Sequence, residues 1–301
     1  TEMGQGLHTN MLAIAAQELG LRPEQLRLMP TSTDKVPNTS ATAASAGTDL
    51  NGAAVKSACA CLRERLAPIA RELLKNKAGR KPALANLLFA QGRVFDRKRP
   101  RASVPFAEVT RQAYLQRISL AATGYYATPD VHWDRAAGRG RPFHYFAYGA
   151  AVSEVEVDGF TGMMRLLRVD ILHDAGDSIN EAINRGQIEG GFIQGVGWLT
   201  TEELKWDDQG RLLTHSPDTY KMPSVGDLPQ EFKVGLLRHA TQKNVIHGSK
   251  AVGEPPFMLA LSVREAIRDA IAAFGPPGGE VPLASPATCE AIFFAAQQRR
   301  A

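Results

Sequence analysis

The sequence lacks any apolar run approaching the ~20 residues that a membrane-spanning helix needs. Thr1–Gly6 is polar and has no basic start, so no secretory leader is read there. Cysteine is scarce. Cys59, Cys61 and Cys289 are too few for a disulfide framework, which favours a cytoplasmic location. The Cys59-x-Cys61 pair has no second pair and no nearby histidine, so it gives weak grounds for a metal site. Cys61 is expected to be a buried free thiol on the apolar face of a helix. His8, His144 and His173 lack metal-ligand spacing and are read as structural. Net charge is also small, at +4.

That charge is unevenly spread. Residues 75–101 hold nine Lys or Arg against one acid, Asp96, a net of +8, which leaves the rest of the chain at −4. No nucleic-acid-binding motif surrounds this run, so it reads as a solvated surface insertion around Pro82 and Pro100. What remains is ordinary for a soluble globular protein: 44% hydrophobic and 22% charged residues. The length of 301 residues fits one large domain or two smaller ones. The division expected is 1–138 and 139–301. The opening Gly-rich motif leaves two expectations, trimming of a short leader or division of a longer chain just before a functional loop.

Met11, Leu12, Ala15, Ala16 and Leu19 recur at helical spacing over 7–19, and Gly20 stands at a C-cap position. Residues 25–29 read as a short strand. A second helix should follow Asp49, with Leu50, Ala53, Ala54, Ala58, Cys61, Leu62 and Leu66 as its apolar stripe. Residues 106–117 read as a helix. Residues 144–157 and 163–173 flank the turn Asp158–Gly162 as a hairpin. A glycine-rich helix over 186–199, strands over 211–215 and 231–237, and a helix over 257–274 complete the reading. Strands and helices mix without the alternation of a doubly wound sheet, so the fold class expected is α+β.

Four segments could carry chemistry. Thr1-Glu2-Met3-Gly4-Gln5-Gly6 leads into a helix, whose free amides favour an anion, but a lone Gly-x-Gly is weak grounds and a tight turn before the helix is the preferred reading. Residues 38–48 are hydroxyls and tiny side chains that could wrap a polar cofactor or form a plain surface loop. Gln194 lies among glycines and could donate to a ligand oxygen, or those glycines could serve a close helix contact. Glu254, in Lys250–Pro256, is expected outside the helical region because a proline follows it, at the start of a helix. From the residues alone it is equally a solvated cap and a general base.

In this order, these segments resemble the molybdenum-binding subunit of the xanthine dehydrogenase and aldehyde oxidase family. Val36–Ser40, Thr48-Asp49, Phe143–Gly149, Gly186–Gly190, Gln194-Gly195, Thr219–Lys221 and Lys250–Pro256 carry the likeness, and the wording is nearer xanthine dehydrogenase. The resemblance implies a molybdopterin cofactor contacted by Gln5 and Gln194 and lined by Ala43, Ala44, Ser45 and Thr48. No protein side chain is expected to ligate the metal. It implies that Glu254 is the general base in hydroxylation of a purine, xanthine or hypoxanthine to urate. It also implies that a preceding half of the subunit orients the substrate, and that FAD and two [2Fe-2S] clusters sit on partner modules of a higher oligomer. Three cysteines could not ligate two clusters. Gly47 departs from the family, where a hydroxyl residue is common. The competing expectations are an accessory or degenerate molybdopterin-binding protein, or a hydroxylase of an aldehyde or another N-heterocycle.

Overall fold

The computed structural model describes residues 1–35, 39, 41–43 and 45–301. Its elements are α1 (Leu7–Leu19), α2 (Gly47–Ala78), β1 (Leu87–Ala90), β2 (Arg93–Asp96), β3 (Arg99–Pro105), α3 (Phe106–Leu115), β4 (His132–Asp134), β5 (Arg139–Arg141), β6 (Gly149–Val157), β7 (Met164–His173), α4 (Glu181–Thr200), β8 (Glu231–Leu236), α5 (Leu261–Ala272) and α6 (Cys289–Arg300). The strands form three small sheets, β1-β2-β3, β4-β5 and β6-β7-β8. All pairings are antiparallel except β7 with β8. Small mixed sheets packed with helices are the α+β class that the sequence predicts. The chain divides into two compact units, 1–145 with 242–249, and 146–241 with 250–301.

In the first unit, α1 ends as expected. Gly20 is left-handed (φ 65°), and its N–H donates back to the last turn. A Cβ at Gly20 would overlap the backbone of Phe89, so the glycine also lets α1 end tight against β1. Helix α2 differs from expectation in two ways. It runs on through Pro68 to Ala78, and its buried face passes through Gly52, Cys59, Leu66, Ala70 and Leu74, sharing only Leu66 with the predicted stripe, whose other members are half-buried. Cys59 is therefore the buried thiol, and Cys61 is only partly covered. The reason is a close approach to α1: a Cβ at Gly52 would lie 2.6 Å from Ile14 Cδ1. The helix turns its small residues, not its largest ones, toward that neighbour.

The 75–101 stretch is not a solvated insertion. It contains the end of α2, β1, β2 and the start of β3. Leu87, Phe89, Val94 and Val104 pack with Leu66, Ile69 and Leu74 of α2 and Val109 and Ala113 of α3 in one core. Strand alternation puts these residues inward and leaves most of the basic ones outward. In so short a meander, that charge hides the apolar period. Residues 25–29 are also not a strand, and only a 3₁₀ turn at Pro23–Gln25 precedes them. No neighbouring strand offers them a ladder.

The second unit has its own core. Leu166, Val169 and Ile171 of β7 pack with Ile188, Phe192 and Val196 of α4, Val263, Ile267 and Ile271 of α5, and Ile292 and Ala295 of α6. The long connection that contains α4 lets β8 join β7 in parallel. Residues 211–215 form no strand beyond a single bridge, Trp206 to Leu212. The helix expected over 257–274 is split into a 3₁₀ stretch, Pro255–Ala260, and α5. Among the described residues, no helix is long and apolar enough to cross a membrane.

Candidate functional site

The sequence-predicted site residues fall into two groups, one on each unit. Gln5, Ala43, Ser45 and Thr48 belong to the first; Gln194 and Glu254 belong to the second. Ala44, with Val36, Pro37, Asn38 and Ser40 of the resemblance motif, lies outside the described residues.

On the first unit, the Thr1–Gly6 loop is organised by Glu2. One carboxylate oxygen accepts the amides of Gly4 (2.9 Å) and Gly6 (3.0 Å), and the other accepts the amide of His8 (2.9 Å). These bonds, that from His8 foremost, hold the Glu2 carboxyl below its ordinary pKa. The chain's own carboxylate therefore caps the His8 amide of α1 and two loop amides before it, as befits the tight turn read from the sequence. Gln5 folds back onto the loop. Its Nε2 donates to the Thr1 carbonyl (2.9 Å), and its Oε1 accepts the Met3 amide (2.6 Å). The second Nε2 hydrogen of such an amide remains for a ligand. Thr1 N donates to Thr42 Oγ1 (2.9 Å) and Asn10 Nδ2 donates to Thr48 Oγ1 (3.2 Å), tying this loop and α1 to the 42–48 segment.

A cavity of about 790 Å³ opens between these segments, lined among others by Thr1, His8, Thr39, Thr42, Ala43 and Gly47. Hydroxyls and small side chains dominate it, and among the described residues no carboxylate lines it. That donor set fits an uncharged-to-anionic polar group such as a phosphate-bearing pterin, and the small residues leave room for it. Gln5, Ser45 and Thr48 stand beside this cavity rather than in its lining.

Sequence reasoning missed a half-buried acid next to it. Asp49, in the first turn of α2, accepts a short hydrogen bond from the Tyr145 hydroxyl. Burial raises its pKa to about 6, against the lowering effects of that bond and of His144. Both ring nitrogens of His144 are buried without a hydrogen-bond partner among the described residues. Asp49 reads as an N-terminal cap from sequence, and only the pairing with Tyr145, 96 residues away, distinguishes it.

On the second unit, α4 starts at Asn180, whose side chain accepts the Ile183 amide (3.1 Å). Its glycines form a docking face. A Cβ at Gly195 would overlap the Phe257 carbonyl oxygen, and one at Gly191 would lie 3.0 Å from the Gly253 carbonyl oxygen. The 253–257 backbone is thus laid directly on the helix. Glu254 sits between those two contacts, with its side chain exposed. Its backbone is in the right-handed helical region (φ −99°, ψ −37°), not outside it as Pro255 predicts. The Phe257 amide bonding back to the Glu254 carbonyl (3.1 Å) closes a 3₁₀ turn that overrides the local preference. Gln194 is exposed on α4 beside Gly195. With Gly190, Ile193, Trp198 and Phe257 it lines a second cavity of about 660 Å³. Trp198 stacks on Phe257 at 5.2 Å. Glycine-mediated packing and ligand exposure, the two alternatives for the Gln194 segment, therefore occupy different faces of one helix.

Residues 1–229 match the molybdopterin cofactor-binding domain family. The chain is 46% identical to xanthine dehydrogenase of Oryza sativa subsp. japonica and 44% identical to xanthine dehydrogenase/oxidase of Gallus gallus, in each case over 97% of the chain. It spans about a fifth of the length of these relatives. Among solved structures, quinoline 2-oxidoreductase from Pseudomonas putida 86 superposes with a TM-score of 0.83 at 28% identity, covering 99% of this chain and 36% of the other. The Cu,Mo-CO dehydrogenase shares the fold, with a TM-score of 0.81 at 22% identity over 99% of this chain and 35% of the other. The chain belongs to the molybdopterin cofactor-binding domain family, in the xanthine dehydrogenase and aldehyde oxidase group of molybdenum hydroxylases.

Proposed function

We propose that this chain supplies the general base and part of the cofactor wall of a molybdenum hydroxylase whose substrate is a purine. The observation that carries this reading is Glu254, an exposed residue on backbone whose flanking Gly253 and Phe257 carbonyls are seated against Gly191 and Gly195, the glycines on either side of the exposed Gln194 in α4. A carboxylate on so constrained a segment suits proton abstraction, because its reach is fixed before substrate arrives. Bound molybdopterin would supply the oxygen-transfer and two-electron chemistry. Gln5 and Gln194 would donate to the cofactor through their side-chain amides, and Ala43, Ala44, Ser45 and Thr48 would line it. Glu254 would accept the proton released as the ring carbon is hydroxylated. The identity to plant and bird xanthine dehydrogenases supports a xanthine or hypoxanthine substrate. The likeness to quinoline 2-oxidoreductase supports another N-heterocycle as the second reading.

On this reading, a further half of the molybdenum subunit orients the ring, and FAD and two [2Fe-2S] clusters on partner modules carry electrons away in a cytoplasmic oligomer. Glu254→Ala in the assembled, molybdenum-loaded enzyme tests the assignment. Turnover of xanthine should fall by about 10²–10⁴-fold at unchanged molybdenum content. Wild-type-like xanthine oxidation by the variant would remove Glu254 from the role, and a panel of xanthine, quinoline and an aldehyde separates the substrate readings.

A further inference from the structure

We propose that Lys250 is a positioning residue for Glu254, acting through a buried ion pair with Asp174. This rests on the reading of Glu254 as the base. The Lys250 and Asp174 side chains are 7% and 5% exposed, and Nζ meets Asp174 Oδ2 in a short, charge-assisted contact. The ammonium also donates to the Phe146 carbonyl (2.9 Å) and stands 5.5 Å over the Tyr148 ring. Asp174 is itself fixed. Its Oδ1 accepts the Gly176 amide (2.9 Å), and its own amide donates to the Tyr148 carbonyl (2.8 Å). The Lys250 amide adds a backbone bond to the Ala175 carbonyl (2.9 Å).

The consequence lies four residues on. Lys250 pins one end of the 250–257 segment to the end of β7. Val252 is buried in the core, and the Gly253 and Phe257 carbonyls rest on Gly191 and Gly195 of α4. Glu254 is therefore suspended between an ionic anchor and a backbone contact. The Val252, Gly253 and Phe257 anchors face the core and α4 and do not specify where the segment meets the end of β7, which the Lys250 amide bond to the Ala175 carbonyl sets for the main chain alone. The ion pair does, because a buried ammonium tolerates only one place where a carboxylate and a carbonyl both meet it.

The test uses the assembled, molybdenum-loaded enzyme. Lys250→Met should lower kcat by about ten- to a hundredfold, with KM and molybdenum content little changed, since a displacement on the order of 1 Å at a catalytic group costs that much. Lys250→Arg, which keeps a cation for Asp174, should recover part of the loss. The double variant Lys250→Met, Asp174→Leu leaves no unpaired buried charge, so it should regain thermal stability while kcat stays low. A double variant with wild-type kcat, or one that does not fold, would make the pair a purely structural contact and overturn the proposal. Glu254→Gln in the same assay keeps the two ideas apart. Full activity there defeats the base assignment, whereas an inactive Glu254→Gln beside a fully active Lys250→Met defeats only the positioning role.

Discussion

The two units hold their candidate segments by different physics. The 1–6 and 42–48 segments of the first unit are held by exchangeable polar bonds, from the Glu2 carboxylate, the Gln5 amide and the Thr1–Thr42 contact. The 250–257 segment of the second unit is held by backbone laid on glycine, by burial of Val252 and by one ion pair. The first arrangement suits a surface that reshapes around a polar cofactor. The second suits a catalytic carboxylate, whose placement must survive each turnover. The difference implies that the first unit's segments respond to pH and the second unit's segment to steric volume.

The largest expected effect falls on the 250–257 segment of the second unit. Gly195→Ala pushes a methyl group into the Phe257 carbonyl and should cost roughly 1–3 kcal/mol, with loss of turnover. Gly191→Ala, with its 3.0 Å approach to Gly253, should cost less. Gly190→Ala, with nothing within 4 Å, should leave stability unchanged or raise it by about 0.5–1 kcal/mol. Thermal unfolding of the three variants should rank them in that order. Equal effects would mean that α4 helicity matters, not its contact with 253–257.

The segments of the first unit should yield to charge instead. Glu2→Gln keeps the shape of the cap but weakens three amide bonds, and should cost about 1 kcal/mol at neutral pH. The folded pKa of Glu2 is depressed, so its stabilisation is complete above the ordinary value of 4.5 and is lost as pH falls through the folded value. Unfolding of wild type and variant should therefore converge toward low pH; a constant gap would show that the amide replacement acts through shape. Asp49 runs the other way. Its folded pKa is raised from 3.8 to about 6, so ionising it costs stability that disappears below about pH 4 and is fully felt above about pH 6. Asp49→Asn keeps an oxygen for Tyr145 and should flatten the stability profile between those limits by about 1–2 kcal/mol, discounted for partial exposure. An unchanged profile would mean that Asp49 remains solvated.

Much of this contrast could be read from sequence, but unevenly. Helix α1, with Gly20 as its stop, and the β6–β7 hairpin follow from local period and turn chemistry. The docking role of the α4 glycines was one of two open alternatives, since a glycine pair says that something comes close but not what. The buried face of α2 was misplaced because Gly52 packs on Ile14 of another helix, a contact invisible to any window of sequence. The small sheet within 75–101 was lost under its nine basic residues. The helical backbone at Glu254 ran against the rule for residues before proline, because a following 3₁₀ turn repaid it with a hydrogen bond. Glu2 was visible as a residue but not as a cap, since its partners are main-chain amides rather than a patterned side chain.

The central claim is that the second unit holds Glu254 as a base against a cofactor gripped in part by Gln194. Single-turnover reduction of the molybdenum-loaded enzyme by xanthine, in wild type and Glu254→Gln, tests it most directly. The account predicts a rate lower by at least about 10²-fold in the variant, with the acidic limb of the pH–rate profile abolished and molybdenum content preserved. Equal rates in the two proteins, with the acidic limb retained, would contradict it.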